Sequence, residues 1–169
     1  MKPGGQRIKG KAFERKIARM IRARWPGALV RRASQAERAH NPDVFIEGGP
    51  RILQRLWLEL QDSAHATPLA KLAQARRDVE TDPRVYARGE HRIAVAITHQ
   101  LGSRGIVATI RIGDLMDIAD PERIHVEDHS VVTMSLWDFL DLLDRPGSRP
   151  AAYTAAIART EAIADKEIV

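Results

Sequence analysis

The chain of 169 residues contains no cysteine, which excludes disulfide bridges and thiolate metal sites. No apolar run reaches the roughly 18 residues that a membrane span requires. No apolar segment follows the N-terminal charges as it would in an export signal, so we expect a cytoplasmic protein. Aromatic residues make up only 5% of the chain, which argues against recognition of single-stranded nucleic acid by base stacking.

Positive charge is concentrated at one end of the sequence. The formal net charge is +5. Residues 1–40 hold 12 Lys and Arg against 2 Asp and Glu, whereas the remainder holds 15 against 20. A basic portion attached to a mildly acidic body is typical of proteins that bind a polyanion, most often nucleic acid. The alternative is a basic helix that is merely solvated.

Hydrophobic periodicity predicts one α/β domain over residues 1–146, beginning with a flexible basic arm at 1–9 and followed by a linker and C-terminal helix at 147–169. Helices are predicted at 10–25, 69–80 and 136–143. Strands are predicted at 28–33, 43–47, 56–61, 91–98 and 106–112, and the strand at 91–98 is apolar on both faces, as in the centre of a sheet. Residues 107–118 and 131–142 repeat a strand that runs into a short helix with an acid in its first turn.

Two neighbouring apolar strands carry acidic residues. Asp43 follows Pro42 at the start of one strand, and Glu59 lies inside the next, with Gln61 two residues on. Buried carboxylates are costly unless they are paired or bound to a metal. Alternation along a strand places Glu59 and Gln61 on one face, and Asp43 joins them if the two strands pair. This pattern predicts an oxygen-rich site for a hard cation such as Mg²⁺.

Pro42-Asp43 and Glu59-Leu60-Gln61 resemble the signature of the PD-(D/E)xK nuclease superfamily, and the chain is most similar to phage and archaeal Holliday-junction-resolvase-type proteins. The resemblance covers roughly the first 100 residues. It implies a restriction-endonuclease-like core of order α-β-β-β-α-β, with a mixed central sheet flanked by helices and further strand and helix elements after it. It also implies a homodimer, located in the bacterial host cell if the protein is phage-encoded.

The same resemblance implies a metal-dependent DNA endonuclease, selective for branched DNA such as Holliday junctions, with Mg²⁺ or Mn²⁺ held by Asp43, Glu59, the carbonyl of Leu60, and Glu14 from the first helix. The alternative for Glu14 is an ion pair with Lys11 or Arg15 on its own helix. Gln61 departs from the family, which usually has Lys there. Gln61 can orient an attacking water but carries no charge.

Lys71, on the helix that follows, is a candidate for the missing positive charge, and its alternative is a solvated surface lysine. Phosphate contacts are predicted for Lys9 in the basic arm, for Lys11 and Arg15 on the first helix, and for Arg31, Arg32 and Ser34 before the acidic strands.

Two other functions fit the same residues. The chain is either a non-catalytic DNA-binding or assembly protein that retains a nuclease fold, which Gln61 favours, or an unrelated α/β interaction module whose acids are ordinary strand-end residues. The histidines have no spacing typical of a metal site.

Overall fold

A computed structural model describes residues 4–33, 41–82, 91–103, 105–119 and 129–144. Ser34 and the predicted linker and C-terminal helix at 147–169 lie outside these residues. The helices are α1 (Gly4–Arg24), α2 (Arg51–Arg55), α3 (Pro68–Thr81), α4 (Ile112–Ala119) and α5 (Leu136–Asp144). The strands are β1 (Ala28–Arg32), β2 (Val44–Gly48), β3 (Leu56–Ser63), β4 (Ile93–Gln100), β5 (Ile106–Arg111) and β6 (Val131–Ser135).

The described strands form one mixed six-stranded sheet in the order β1-β2-β3-β4-β5-β6. All neighbouring pairs are antiparallel except β3 and β4, which run parallel over their whole length. A parallel pair needs a crossover connection, and α3 lies in the segment that joins the two strands. The protein is therefore an α/β protein with a mixed sheet flanked by helices, as the sequence predicts.

Helices cover both faces of the sheet. The larger core packs α1, α4 and α5 against side chains such as Leu58 and Val95. The smaller core lies on the opposite face, where α3 contributes Leu72 and Ala75 against Trp57, Ala94 and Ala96. Both faces of β4 are thus buried, and the prediction that this strand is central is confirmed.

Helix α1 begins at Gly4, six residues before the helix that the sequence predicts at 10–25, and the flexibility of the basic arm at 1–9 stays a prediction. Extending an existing helix gains one hydrogen bond for each residue that is fixed. Gln6, Arg7 and Lys9 are good helix formers, and the apolar stripe of Phe13, Ile17 and Ile21 anchors the next turns in the core. The two glycines at the start are tolerated because they lie at the helix end.

The turn after β2 is more structured than the sequence suggests. Gly48 and Gly49 both have φ of 70°, a region that glycine adopts without steric cost. The short helix α2 then runs directly into β3. Neither the turn residues before α2 nor the apolar run after it predicts this helix. The strand–helix repeat is confirmed: β5 runs into α4 and β6 into α5, with Asp114 and Asp138 in the first turns.

None of the helices in the described segments combines the length and apolar character needed to cross a lipid bilayer.

Candidate active site

Glu59 lies on the α3 face of β3 and is 4% exposed. Its carboxylate accepts three hydrogen bonds. Trp57, two residues earlier on the same face, donates its indole N–H to Oε1 at 3.3 Å. Oε2 accepts the Lys71 ammonium at 2.9 Å and the Gln74 amide at 3.1 Å. The strand and α3 therefore hold this acid in one orientation from both sides.

Lys71 links the two acidic strands. Its Nζ also lies 3.9 Å from Asp43 Oδ2, and it donates to Gln74 Oε1 at 3.1 Å. Its side chain is only 16% exposed. The alternative of a solvated surface lysine is therefore wrong. Helix α3 places an ammonium beside both carboxylates.

Asp43 lies just before β2 and takes part in the pairing of that strand with β3. Its backbone N–H donates to the carbonyl of Leu58 at 3.0 Å. Its Oδ2 accepts the backbone N–H of Leu60 at 2.9 Å. The carboxylate of Asp43 thus takes the place of a backbone carbonyl in the hydrogen bonding between β2 and β3. This bond fixes the backbone of Leu60 beside the carboxylate. The predicted pairing of the two acidic strands is confirmed.

The electrostatics of Glu59 reflect this crowding of charge. The pKa of its carboxyl is raised from 4.5 to about 7, chiefly by burial and next by the negative charge of Asp43, while Lys71 acts to lower it. Two carboxylates that repel each other and share one ammonium form a site where additional positive charge is stabilised. Their oxygens are donors that fit a hard divalent cation.

Gln61 points to the same face as Glu59, as the alternation predicts, and its amide contacts the start of α3. Its Oε1 accepts the backbone N–H of Thr67 at 2.9 Å and the Thr67 hydroxyl at 3.4 Å. Thr67 immediately precedes α3. Gln61 therefore fixes the start of the helix that carries Lys71.

Glu14 is 7% exposed on α1. Its Oε2 accepts the Nε of Arg32, on β1. Across the described segments, one group of three side chains brings its candidate ligand atoms within 4.8 Å of one another: His91, Asp114 and Asp117. Glu14, Asp43 and Glu59 do not form such a group. The role of Glu14 as a metal ligand stays a prediction, and in this structure Arg32 holds it.

The predicted phosphate-contacting residues lie on α1 and β1. Lys9 is exposed, Lys11 is half-buried, and Arg15 is exposed with its Nε bound to the carbonyl of Lys11 at 3.0 Å. Arg15, Arg31 and Arg32 line one groove of about 550 Å³, which we call the arginine groove; its other lining residues are Ala12, Ala18, Arg19 and Arg22.

Sequence reasoning missed several of these neighbours. Trp57 and Gln74 contact Glu59. The sequence indicates these contacts only by position, because Trp57 lies two residues before Glu59 on the same strand face and Gln74 lies one helical turn after Lys71. The group of His91, Asp114 and Asp117 joins the segment before β4 to α4, with His91 Nε2 at 3.2 Å from Asp114 Oδ1. No sequence spacing predicts it, because its members come together only in the folded sheet.

No protein-family model and no curated protein matches this chain.

Proposed function

We propose that the protein is a metal-dependent DNA endonuclease of the PD-(D/E)xK type that hydrolyses phosphodiester bonds. The observation that carries the proposal is the shared ammonium: Lys71 Nζ lies 2.9 Å from Glu59 Oε2 and 3.9 Å from Asp43 Oδ2. Two acids and a lysine, which lie just before β2, on β3 and on α3, supply the residue types that this chemistry needs. Mg²⁺, or Mn²⁺ in its place, is the proposed cofactor.

A divalent cation bound here would activate water and stabilise the charge that develops on the phosphate. Asp43 and Glu59 would hold the cation, together with the carbonyl of Leu60, and Glu14 would join them when Arg32 releases it. Lys71 would orient the attacking water and screen the developing negative charge. Gln61 would support this arrangement indirectly, since it holds the first turn of α3 through Thr67.

Branched DNA such as a Holliday junction is the proposed substrate, and a cytoplasmic homodimer is the proposed form, because cutting two opposed strands needs two sites. The arrangement of positive charge on α1 and β1 supports a DNA substrate, since phosphate contacts supply most of the affinity of proteins for nucleic acid.

A second function, non-catalytic DNA binding by a protein that retains the nuclease fold, is favoured by Gln61. In the nuclease family this position usually carries a lysine. In this chain its glutamine accepts hydrogen bonds from Thr67, which is a structural task. In that case, Lys71 would neutralise two residual acids and no metal would be required.

Cleavage of labelled four-way junction, duplex and single-stranded DNA in Mg²⁺ or Mn²⁺ separates the two. We expect metal-dependent cutting that is lost in Asp43→Asn and Glu59→Gln and retained in Glu47→Gln, which removes an exposed carboxylate of β2. Binding without cutting under either metal would establish the non-catalytic function, and preference among the three DNAs would show whether junctions are resolved.

A further inference from the structure

The arginine groove is lined by seven residues from α1 and β1, of which five are arginines, two are alanines and none is acidic. Like charges held together repel one another, and this repulsion is relieved when a polyanion binds. The groove was not evident from the sequence, because Arg19 and Arg22 become neighbours of Arg31 and Arg32 only when β1 folds back along α1.

The spacing of the arginines suits a chain of phosphates. Arg15, Arg19 and Arg22 follow the i, i+4, i+7 pattern along one side of α1, which spans about 10 Å at the helical rise. One strand of duplex DNA presents a phosphate about every 3.4 Å of its axis. Guanidinium groups bind phosphate oxygens through paired N–H donors, and Ala12 and Ala18 leave room for a backbone to approach.

Two of the arginines are held in place by the fold. Arg22 donates to the carbonyl of Val30 at 3.0 Å, and the guanidinium of Arg31 lies 4.9 Å from the centre of the Phe45 ring. Holding these side chains in advance reduces the entropy lost on binding. These two fixed guanidinium groups are therefore prepared for a ligand that carries negative charge.

Duplex nucleic acid fits this groove better than a single strand or a membrane. None of the lining residues is aromatic, whereas single-strand binding depends on stacking of bases. A membrane-binding helix inserts an apolar face between lipids, but the apolar face of α1, with Phe13, Ile17 and Ile21, is packed in the core.

Arg32 connects this groove to Glu14, the buried acid of α1. It lines the groove, and its Nε binds the buried carboxylate of Glu14. A buried carboxylate is stabilised by a cationic partner. A phosphate that draws Arg32 away from Glu14 would therefore destabilise the charged form of Glu14 unless another cation took the place of Arg32. A divalent cation bound by Glu14 would in turn release Arg32 to the phosphate.

We propose that the arginine groove binds the phosphate backbone of duplex DNA, and that Arg32, as a positioning residue, couples this binding to divalent-cation binding through Glu14. The coupling rests on the proposed function, whereas the groove does not. Because binding linkage is reciprocal, DNA tightens cation binding and the cation tightens DNA binding by the same factor.

The groove is tested by the salt dependence of duplex binding in EDTA, where no cleavage occurs. Arg19→Gln is expected to weaken binding several-fold and to lower the slope of log K against log salt by about one. The control Lys16→Gln removes a charge from an exposed position of α1 outside the groove and should change both quantities less. Equal effects of the two variants would overturn the groove. So would binding to phosphatidylserine vesicles in place of duplex DNA.

The coupling is tested by Mn²⁺ binding, followed by electron paramagnetic resonance with and without a phosphorothioate duplex that resists hydrolysis. DNA alone serves as the blank. The duplex should tighten Mn²⁺ binding about tenfold in the wild type and less than about twofold in Arg32→Gln. Glu14→Gln, which keeps the size of the side chain and removes its charge, should lose the coupling while it retains duplex binding.

Unchanged tightening in Arg32→Gln, or absence of Mn²⁺ binding in the wild type, would overturn the coupling. Thermal unfolding of each variant shows whether it is folded. If Arg32→Gln does not fold, the result for Glu14→Gln decides whether the coupling exists. Mn²⁺ binding and coupling without cleavage would contradict the endonuclease and leave the coupling intact. Cleavage with uncoupled Mn²⁺ binding would contradict only the coupling.

Discussion

The ammonium of Lys71 lies 2.9 Å from Oε2 of Glu59, although the two residues belong to different elements, helix α3 and strand β3. Gln74 joins the contact from the next turn of the helix. A glutamate and a lysine that are 12 residues apart in the sequence are thus paired in space. The ion pair is half-buried, where it is screened less than a surface pair.

Lys71→Met should lower metal-dependent cleavage by about 10²- to 10⁴-fold, the range typical for loss of a group that moves a proton or stabilises developing charge. Methionine keeps the aliphatic length and removes the charge. Because Lys71 lowers the pKa of Glu59, the variant should also raise that pKa above about 7. Single-turnover cleavage and a pH titration of Glu59 by NMR measure the two effects.

The control is Arg77→Met, which removes a cation from an exposed position of the same helix. Near wild-type cleavage in Lys71→Met would show that the ammonium has no catalytic task. A similar loss in Arg77→Met would indicate a general effect of charge on DNA binding.

Asp43 should have a structural role that is separable from its proposed catalytic one. Its Oδ2 accepts the N–H of Leu60, which is 8% exposed, and leaving such a buried donor without a partner costs about 1–3 kcal/mol. Asp43→Ala should therefore lower the free energy of unfolding by about that amount. Asp43→Asn keeps a side-chain oxygen as acceptor and should lower it less, while both variants lose metal-dependent cleavage.

Urea unfolding of the two variants beside Glu47→Ala provides the measurement and its control, because Glu47 is exposed on β2. Equal stability losses in Asp43→Ala and Asp43→Asn would show that the hydrogen bond to Leu60 does not account for the effect.

The sequence predicts those parts of the site that depend on local periodicity. Alternation along β3 places Glu59 and Gln61 on one face, and the apolar pattern of Phe13, Ile17 and Ile21 orients α1 toward the core. These follow from the repeat of a strand or helix alone. The order of the other elements from α1 to β4 is likewise readable from turn residues and apolar runs, but the short helix α2 is not.

Contacts between distant elements are not encoded in any local pattern. Arg32 meets Glu14 because β1 returns along α1, and His91 meets Asp114 because β4 and β5 are neighbours in the sheet. The hydrogen-bond partner of Gln61 is likewise not predictable, because the position of Thr67 is set by the start of α3. Such pairings require the sheet order, which hydrophobic patterns do not specify.

The raised pKa of Glu59 should make the metal-free protein less stable as the pH rises from about 4.5 to about 7. In this window the folded protein keeps a proton on Glu59 that the unfolded chain has released, so deprotonation favours unfolding. A rise from 4.5 to about 7 corresponds to a loss on the order of 3 kcal/mol. Above about pH 7 this contribution is constant.

Glu59→Gln removes the titrating group while it keeps an acceptor for Trp57. The free energy of unfolding in urea and EDTA at pH 5, 6, 7 and 8 gives the comparison. The value for the wild type minus that for the variant should fall as the pH rises to about 7 and then level off. A difference that does not vary with pH would mean that Glu59 titrates in the ordinary range.

Gly49 should be the least replaceable residue of the turn that follows β2. Its φ of 70° is a conformation that other residues adopt at a cost, and a Cβ built on it would lie 2.9 Å from the Cβ of Ala28 at the start of β1. Gly49→Ala should therefore destabilise the protein by about 1–2 kcal/mol and loosen the pairing of β1 with β2. Gly27→Ala is the matched control, because a Cβ there meets no atom within 4 Å, and it should change the free energy of unfolding by less than about 0.5 kcal/mol.

Because β1 carries Arg31 and Arg32, Gly49→Ala should also weaken duplex binding in EDTA, whereas Gly27→Ala should not. Wild-type stability and DNA binding in Gly49→Ala would show that the turn relaxes without moving β1, and would remove the link between this hairpin and the arginine groove.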